Sequence, residues 1–176
     1  MTTLPLPLPT TTLPAAASLF EPVAGTEATA LRLRDAREAD LPALLAIEAQ
    51  FPGDRISPAL FRRLLGSRRA TTRVAEVGGR VVGFHVVRRR WFDRRGWLYS
   101  LAVDGPERRQ GIGRRLLADA ELVARRAGHR GLVLEVRQDN AAAQALYSRA
   151  GYRPVKALRR YYDDGSDGWR HVRDWR

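Results

Sequence analysis

The chain has no cysteine, which excludes disulfides, thiolate metal sites and any relay through a catalytic thiol. Its three histidines, His85, His129 and His171, stand too far apart for metal-ligand spacing, so no metal is expected. No apolar run approaches the roughly 20 residues that span a bilayer, so a soluble, cytoplasmic protein without membrane contact is expected. Lysine is nearly missing. Lys156 is the only one, and the formal net charge of +12 rests on arginine. The arginines are spread over almost every segment and are nowhere interleaved with stacking aromatics as in an RNA-binding module. Nucleic acid is therefore not expected as a direct substrate, although the charge would still attract a polyanionic ligand.

What remains is ordinary globular material: 176 residues, 44% of them hydrophobic, enough for one core. The opening "MTTLPLPLPTTTLPAAASLFEPVAG" lacks a basic start, and prolines interrupt its apolar stretch, so it reads as a disordered tail over residues 1–28 rather than a secretory signal. A single domain is expected over residues 29–176. Leu31 and Leu33 alternate with arginines in the period of a strand, and Leu41, Leu44, Leu45 and Ile47 share a helical face after Asp40, a candidate cap. Ser57, Pro58 and Gly66 bracket a second helix. Two β-rich segments meeting at Gly78-Gly79 predict a hairpin, and "GWLYSLAVD" predicts a further strand. The strongest helical pattern runs from Ile112 to Ala127, before Gly128. "GLVLEVRQD" reads as a strand, "NAAAQALYSRA" as a helix capped by Asn140, and "YRPVKALRRYY" and "GWRHVRDW" as two last strands. The order β-α-α-β-β-β-α-β-α-β-β describes a mixed α/β sheet flanked by helices.

The stretch "RRQGIGRRLL" puts Gly111 and Gly113 where a strand feeds a helix, with arginines on both sides. Free amides at a helix start and the positive end of its dipole favour an anion there, and glycine lets backbone come close to it. A Walker loop would need a lysine and a hydroxyl that are missing, and the dinucleotide fingerprint fails at its third glycine. From "LYSLAVD" through "RRQGIGRRLL" the sequence resembles the acetyl-CoA-binding motif of the GNAT superfamily of N-acetyltransferases, with Arg108, Gly111 and Gly113 at the matching positions. "LEVRQDNAAAQALYSRAGY" is similar to the second half of that cofactor region, above all in the subgroup typified by the ribosomal-protein alanine N-acetyltransferases. "RRYYDDGSDG" resembles the tyrosine-bearing substrate loop of that subgroup, whereas "GDRIS" after "FP" departs from it by lacking an aromatic residue.

The resemblance implies a mostly antiparallel central sheet and acetyl transfer from acetyl-CoA straight to a primary amine. It implies cofactor contacts from Leu101, Ala102 and Val103, from Arg108, Arg109, Gln110, Gly111, Ile112, Gly113 and Arg114, and from Asn140 and Tyr147. The Val103 amide would meet the oxyanion, and the Tyr147 hydroxyl would protonate the departing sulfur. Glu135 shares a strand face with Val133 and Arg137. A carboxylate on a covered strand implies either an arginine pair or a cleft, and the resemblance implies a general base. Glu48, Phe51, Tyr161 and Tyr162 are the candidate acceptor contacts. The acceptor is expected to be a peptide or protein N-terminal α-amine, with a small-molecule amine as the alternative, and the molecule a monomer or homodimer. A non-catalytic acyl-CoA-binding or RNA-associated module is the reading of another class.

Overall fold

The computed structural model describes residues 30–51, 55–89 and 94–175. The expected tail over residues 1–28 lies outside them, as do parts of the "GDRIS" segment. The strands are β1 (Arg32–Asp35), β2 (Ala70–Val77), β3 (Arg80–Arg88), β4 (Gly96–Val103), β5 (Gly131–Arg137), β6 (Arg153–Leu158) and β7 (Gly168–Asp174). The helices are α1 (Leu41–Glu48), α2 (Pro58–Leu65), α3 (Ile112–Arg126) and α4 (Ala141–Arg149). One sheet holds all seven strands in the order β1-β2-β3-β4-β5-β7-β6, and every pairing is antiparallel except that of β4 with β5. This is the mixed, mostly antiparallel architecture expected from the sequence.

Two apolar layers cover the sheet. Leu41, Leu44 and Ile47 of α1 and Phe61 and Leu64 of α2 pack on Val74, Phe84 and Val86. Leu117, Ala120 and Ala124 of α3 pack on the opposite face, against Leu98, Leu132 and Leu134, together with Tyr147 of α4. Alternation along β5 sorts the faces as its sequence implies, with Leu132, Leu134 and Val136 under α3 and α4. Close seating of α3 needs Gly83: a Cβ there would lie 2.9 Å from the Ala102 carbonyl and 3.0 Å from Leu116.

Ser57 caps α2 by accepting from the Leu60 amide at 3.2 Å, and Asn140 caps α4 by accepting from the Ala143 amide at 3.0 Å. Two local expectations are corrected. Asp40 makes no side-chain cap on α1, because its carboxylate instead takes both Arg34 nitrogens, at 2.7 and 2.9 Å, and the Arg37 amide. The strand expected over "YRPVKALRRYY" ends at Leu158: Arg160 has a left-handed backbone (φ 46) and its amide donates to Asp167, so Tyr161 and Tyr162 fall in a loop.

A buried polar network ties α3 to the sheet. His85 of β3 is fully buried, and its Nε2 lies 2.7 Å from Oδ2 of Asp119. The same oxygen accepts from Arg73 Nε at 2.7 Å, and Arg73 also reaches Asp35. Burial pushes the His85 pKa below the usual imidazole value against the pull of Asp119, so the folded protein holds the neutral ring. The unfolded chain takes up the proton that folded His85 refuses, so stability falls as pH drops below about 6.5, by up to about 1.4 kcal/mol per pH unit until the lowered folded value is reached. Burial lowers His171 too, with the same sign. Urea denaturation at about pH 7 and about pH 5.5 should show a smaller acid loss in His85→Gln than in the wild type. Equal losses would contradict the assignment.

Candidate active site

The parallel pairing of β4 with β5 covers only Gly96, Trp97 and Leu98 against Leu132, Val133 and Leu134. Beyond these pairs the strands part. The register between β3 and β4 skips Tyr99, so a bulge bends β4 where the pairing stops. At the far end of β4 the Asp104 amide donates to the Val82 carbonyl at 2.9 Å. Alternation in an antiparallel ladder therefore turns the Val103 N–H away from β3 and into the gap. The Val103 carbonyl on that side accepts from Arg108 Nε at 3.0 Å.

The chain leaves β4 through a turn at Gly105–Glu107 and reaches α3 through a loop with two left-handed residues, Arg109 (φ 66) and Gly111 (φ 80). Among the described residues, no amide from 109 to 114 donates to a backbone carbonyl, and the first helical bond is Arg115 N–H to the Gly111 carbonyl at 3.1 Å. Successive free amides at a helix start make an anion-binding concavity. A Cβ at Gly111 would meet nothing within 4 Å, so the space above the loop is open. Arg109, Arg114 and Arg115 are exposed around it and have no carboxylate partner among the described residues. Ile112 is buried and anchors the helix start, while a Cβ on Gly113 would contact Leu146 at 3.6 Å and Val103 at 3.8 Å. The loop, the strand end and α4 thus converge. Leu101 and Ala102 serve packing, one on each face.

Tyr147 packs with Tyr152 at 5.8 Å between ring centroids, and burial pushes its phenol up to about 12, so the hydroxyl keeps its proton near neutrality. That hydroxyl makes no hydrogen bond to the described residues. The Asn140 side-chain oxygen is engaged in its cap.

On the face covered by α1, Glu135 Oε1 accepts from Arg170 Nε at 2.9 Å and Oε2 from Trp97 Nε1 at 2.5 Å. The arginine pair that the sequence allowed is present, and two of the carboxylate's lone-pair positions remain. Trp97 stands edge-on to Tyr99, and the Arg88 guanidinium lies over both rings. Glu48, buried at the end of α1, accepts from the Ile56 amide at 3.2 Å, and burial raises its pKa above the usual carboxylate range. Phe51 lies under the Arg108 guanidinium at 4.6 Å. Arg108 therefore faces the α1 end rather than the free amides.

Tyr161 and Tyr162 sit on the loop between β6 and β7, with rings 5.2 Å apart. Arg137, at the end of β5, holds that loop: it donates to Asp164 at 2.9 Å and Ser166 at 2.7 Å and stacks over Tyr162. Hydrogen bonds from Ser166, and then Arg137, pull Asp164 down to about 2. Trp97, Arg170 and Gln50 escaped the sequence reading, and Arg137 entered it only as a face neighbour of Glu135. The β5–β7 register that sets Arg170 opposite Glu135 has no local signature, and Trp97 reads as an ordinary strand aromatic.

Against known proteins, the acetyltransferase (GNAT) family profile matches residues 33–152. The chain belongs to that family. An N-alpha-acetyltransferase of Sulfurisphaera tokodaii is 33% identical over 150 residues, spanning 78% of this chain and 89% of that protein. The N-alpha-acetyltransferase RimI of Mycobacterium tuberculosis is 39% identical over 142 residues, spanning 77% and 87%. The crystal structure of the ribosomal-protein-S18-alanine N-acetyltransferase from Escherichia coli superposes with a TM-score of 0.73 at 28% identity, covering 82% of this chain and 94% of that one. This acetyltransferase uses acetyl-CoA as its acetyl donor, and the open, cationic loop with six free amides fits a phosphate-bearing donor.

Substituting Gly111 tests the fit. Both Gly111→Ala and Gly111→Glu carry the left-handed backbone cost of about 1–2 kcal/mol. Calorimetric titration with acetyl-CoA should find binding retained in the alanine variant and lost in the glutamate variant. Unchanged affinity in Gly111→Glu would refute the cradle.

Proposed function

We propose that this acetyltransferase modifies the N-terminal α-amine of a peptide or protein. The observation that carries the reading is the set of polar groups at the gap between β4 and β5: the Val103 amide turned inward, Tyr147 on one face, and Glu135 and Glu48 on the other. Relatives named N-alpha-acetyltransferases over most of both chains support the same acceptor class. A cytoplasmic location fits a chain in which no described helix is long and apolar enough to cross a membrane.

Acetyl-CoA supplies an activated acyl group. The amides of residues 109–114 and the arginines beside them hold its phosphates, and the Val103 N–H stabilises negative charge developing on the acyl oxygen. Tyr147 keeps a proton for the departing thiolate. Glu135, oriented by Trp97 and Arg170, receives the proton of the attacking amine directly or through water. Glu48 is the second acceptor: a carboxylate raised by burial is the stronger base once ionised. Phe51, Tyr161 and Tyr162 line the acceptor's approach, with the tyrosine loop held by Arg137.

CoA release should be followed with short N-terminal peptides and free amines as acceptors. Peptides should turn over, and Glu135→Gln and Tyr147→Phe should each lose about 100-fold or more in kcat. Turnover of free amines alone would replace the acceptor class, and acetyl-CoA binding without any turnover would favour a non-catalytic module. Protonation of Glu48 at low pH removes its lone pair, so kcat/KM should rise with pH through a value above the usual carboxylate range. Glu48→Gln should abolish that limb, and an unchanged profile would remove Glu48 from the proton path.

A further inference from the structure

We propose that Gln50 is a positioning residue that ties the acceptor wall to the donor loop, so that filling the donor site fixes the end of α1. The inference rests on the donor and acceptor assignments above and adds the link between them. Gln50 is exposed and lies two residues beyond Glu48, yet three groups on the donor loop hold its side chain. Its Nε2 donates to Asp104 Oδ1 at 2.8 Å, and its Oε1 accepts from the Gly105 amide at 2.8 Å and from Arg108 Nη2 at 3.3 Å. Asp104 is fixed in turn by Arg80 at 2.9 Å.

Arg108 is the hinge of this arrangement. It immediately precedes the run of free amides, its Nε is held by the Val103 carbonyl, and its guanidinium touches Gln50 and covers Phe51. A ligand that orders residues 109–114 therefore orders Arg108, and through it Gln50 and the last turn of α1. In that turn the Ala49, Gln50 and Phe51 amides bond to Leu45, Ile47 and Glu48. The Glu48 carboxylate carries the contact on to the Ile56 amide. The packing of α1 rests instead on Leu41, Leu44 and Ile47, which do not depend on Gln50. Loss of the Gln50 side chain should therefore uncouple the two sites without unfolding the helix, and coupling between sites is reciprocal.

Hydrogen exchange with CoA as the probe tests this without a known acceptor. In the wild type, CoA should slow exchange at Ala49, Gln50, Phe51 and Ile56 by about fivefold or more, the lower end of ordinary site-to-site coupling. In Gln50→Met, CoA should still bind and protect residues 109–114, while exchange at those four amides no longer responds. The double variant Gln50→Glu with Asp104→Asn swaps amide and carboxylate between the partners and should restore the response. With the peptide acceptor, Gln50→Met should raise the acceptor KM at saturating acetyl-CoA by about fivefold, while the affinity for CoA measured without acceptor stays within about twofold. Equal slowing at the four amides in wild type and Gln50→Met would overturn the role of Gln50 and leave the donor site standing. Failure of CoA to bind the wild type would overturn the donor assignment and this inference with it.

Discussion

Parallel β4 and β5 share hydrogen bonds for three residues and then separate. A strand in the middle of a sheet normally satisfies its amides on both sides. Here the bulge at Tyr99 turns β4 away from β5, and the backbone beyond it faces an opening instead of a neighbour. The site is built on that interruption. The turned Val103 amide, the glycine loop that follows it and the carboxylate on the facing strand all take their places from it. Gly83, by admitting α3 tightly against β3, sets the helix start and its free amides beside the strand end.

The two layers of helices divide the work. On one face α3 and α4 bring the amide cradle, Leu146 and Tyr147 together, and the contacts there are mainly backbone and apolar. On the other face Glu135, the end of α1 and the loop after β6 are each held by specific partners: Trp97 and Arg170 for the glutamate, Gln50 for the end of α1, Arg137 for the tyrosine loop. Abundant arginine thus has local uses. It clasps carboxylates and covers rings on the Glu135 face, and around the glycine loop Arg109, Arg114 and Arg115 have no carboxylate partner among the described residues.

Periodicity and turn chemistry made most of the fold legible. The caps at Ser57 and Asn140, the Gly78-Gly79 hairpin and the split faces of β5 follow from local rules, and the structure has each of them. Asp40 departs from its expected cap because Arg34, six residues away, competes for its oxygens, and the strand before Tyr161 ends early at a left-handed Arg160 that nothing local marks. The free amides of residues 109–114 could be anticipated from glycine at a helix start. The partners of Glu135 could not, since they depend on the register of β7 and on a tryptophan one strand away.

The central claim is that the gap between β4 and β5 is where the acyl group is held. Amide nitrogen and proton shifts recorded with CoA and then with acetyl-CoA test it most directly. Both ligands should move the amides of residues 109–114, and the Val103 amide should differ between them, because only acetyl-CoA offers it a thioester carbonyl. Identical Val103 shifts with the two ligands, or changes centred away from residues 103–114, would contradict the account.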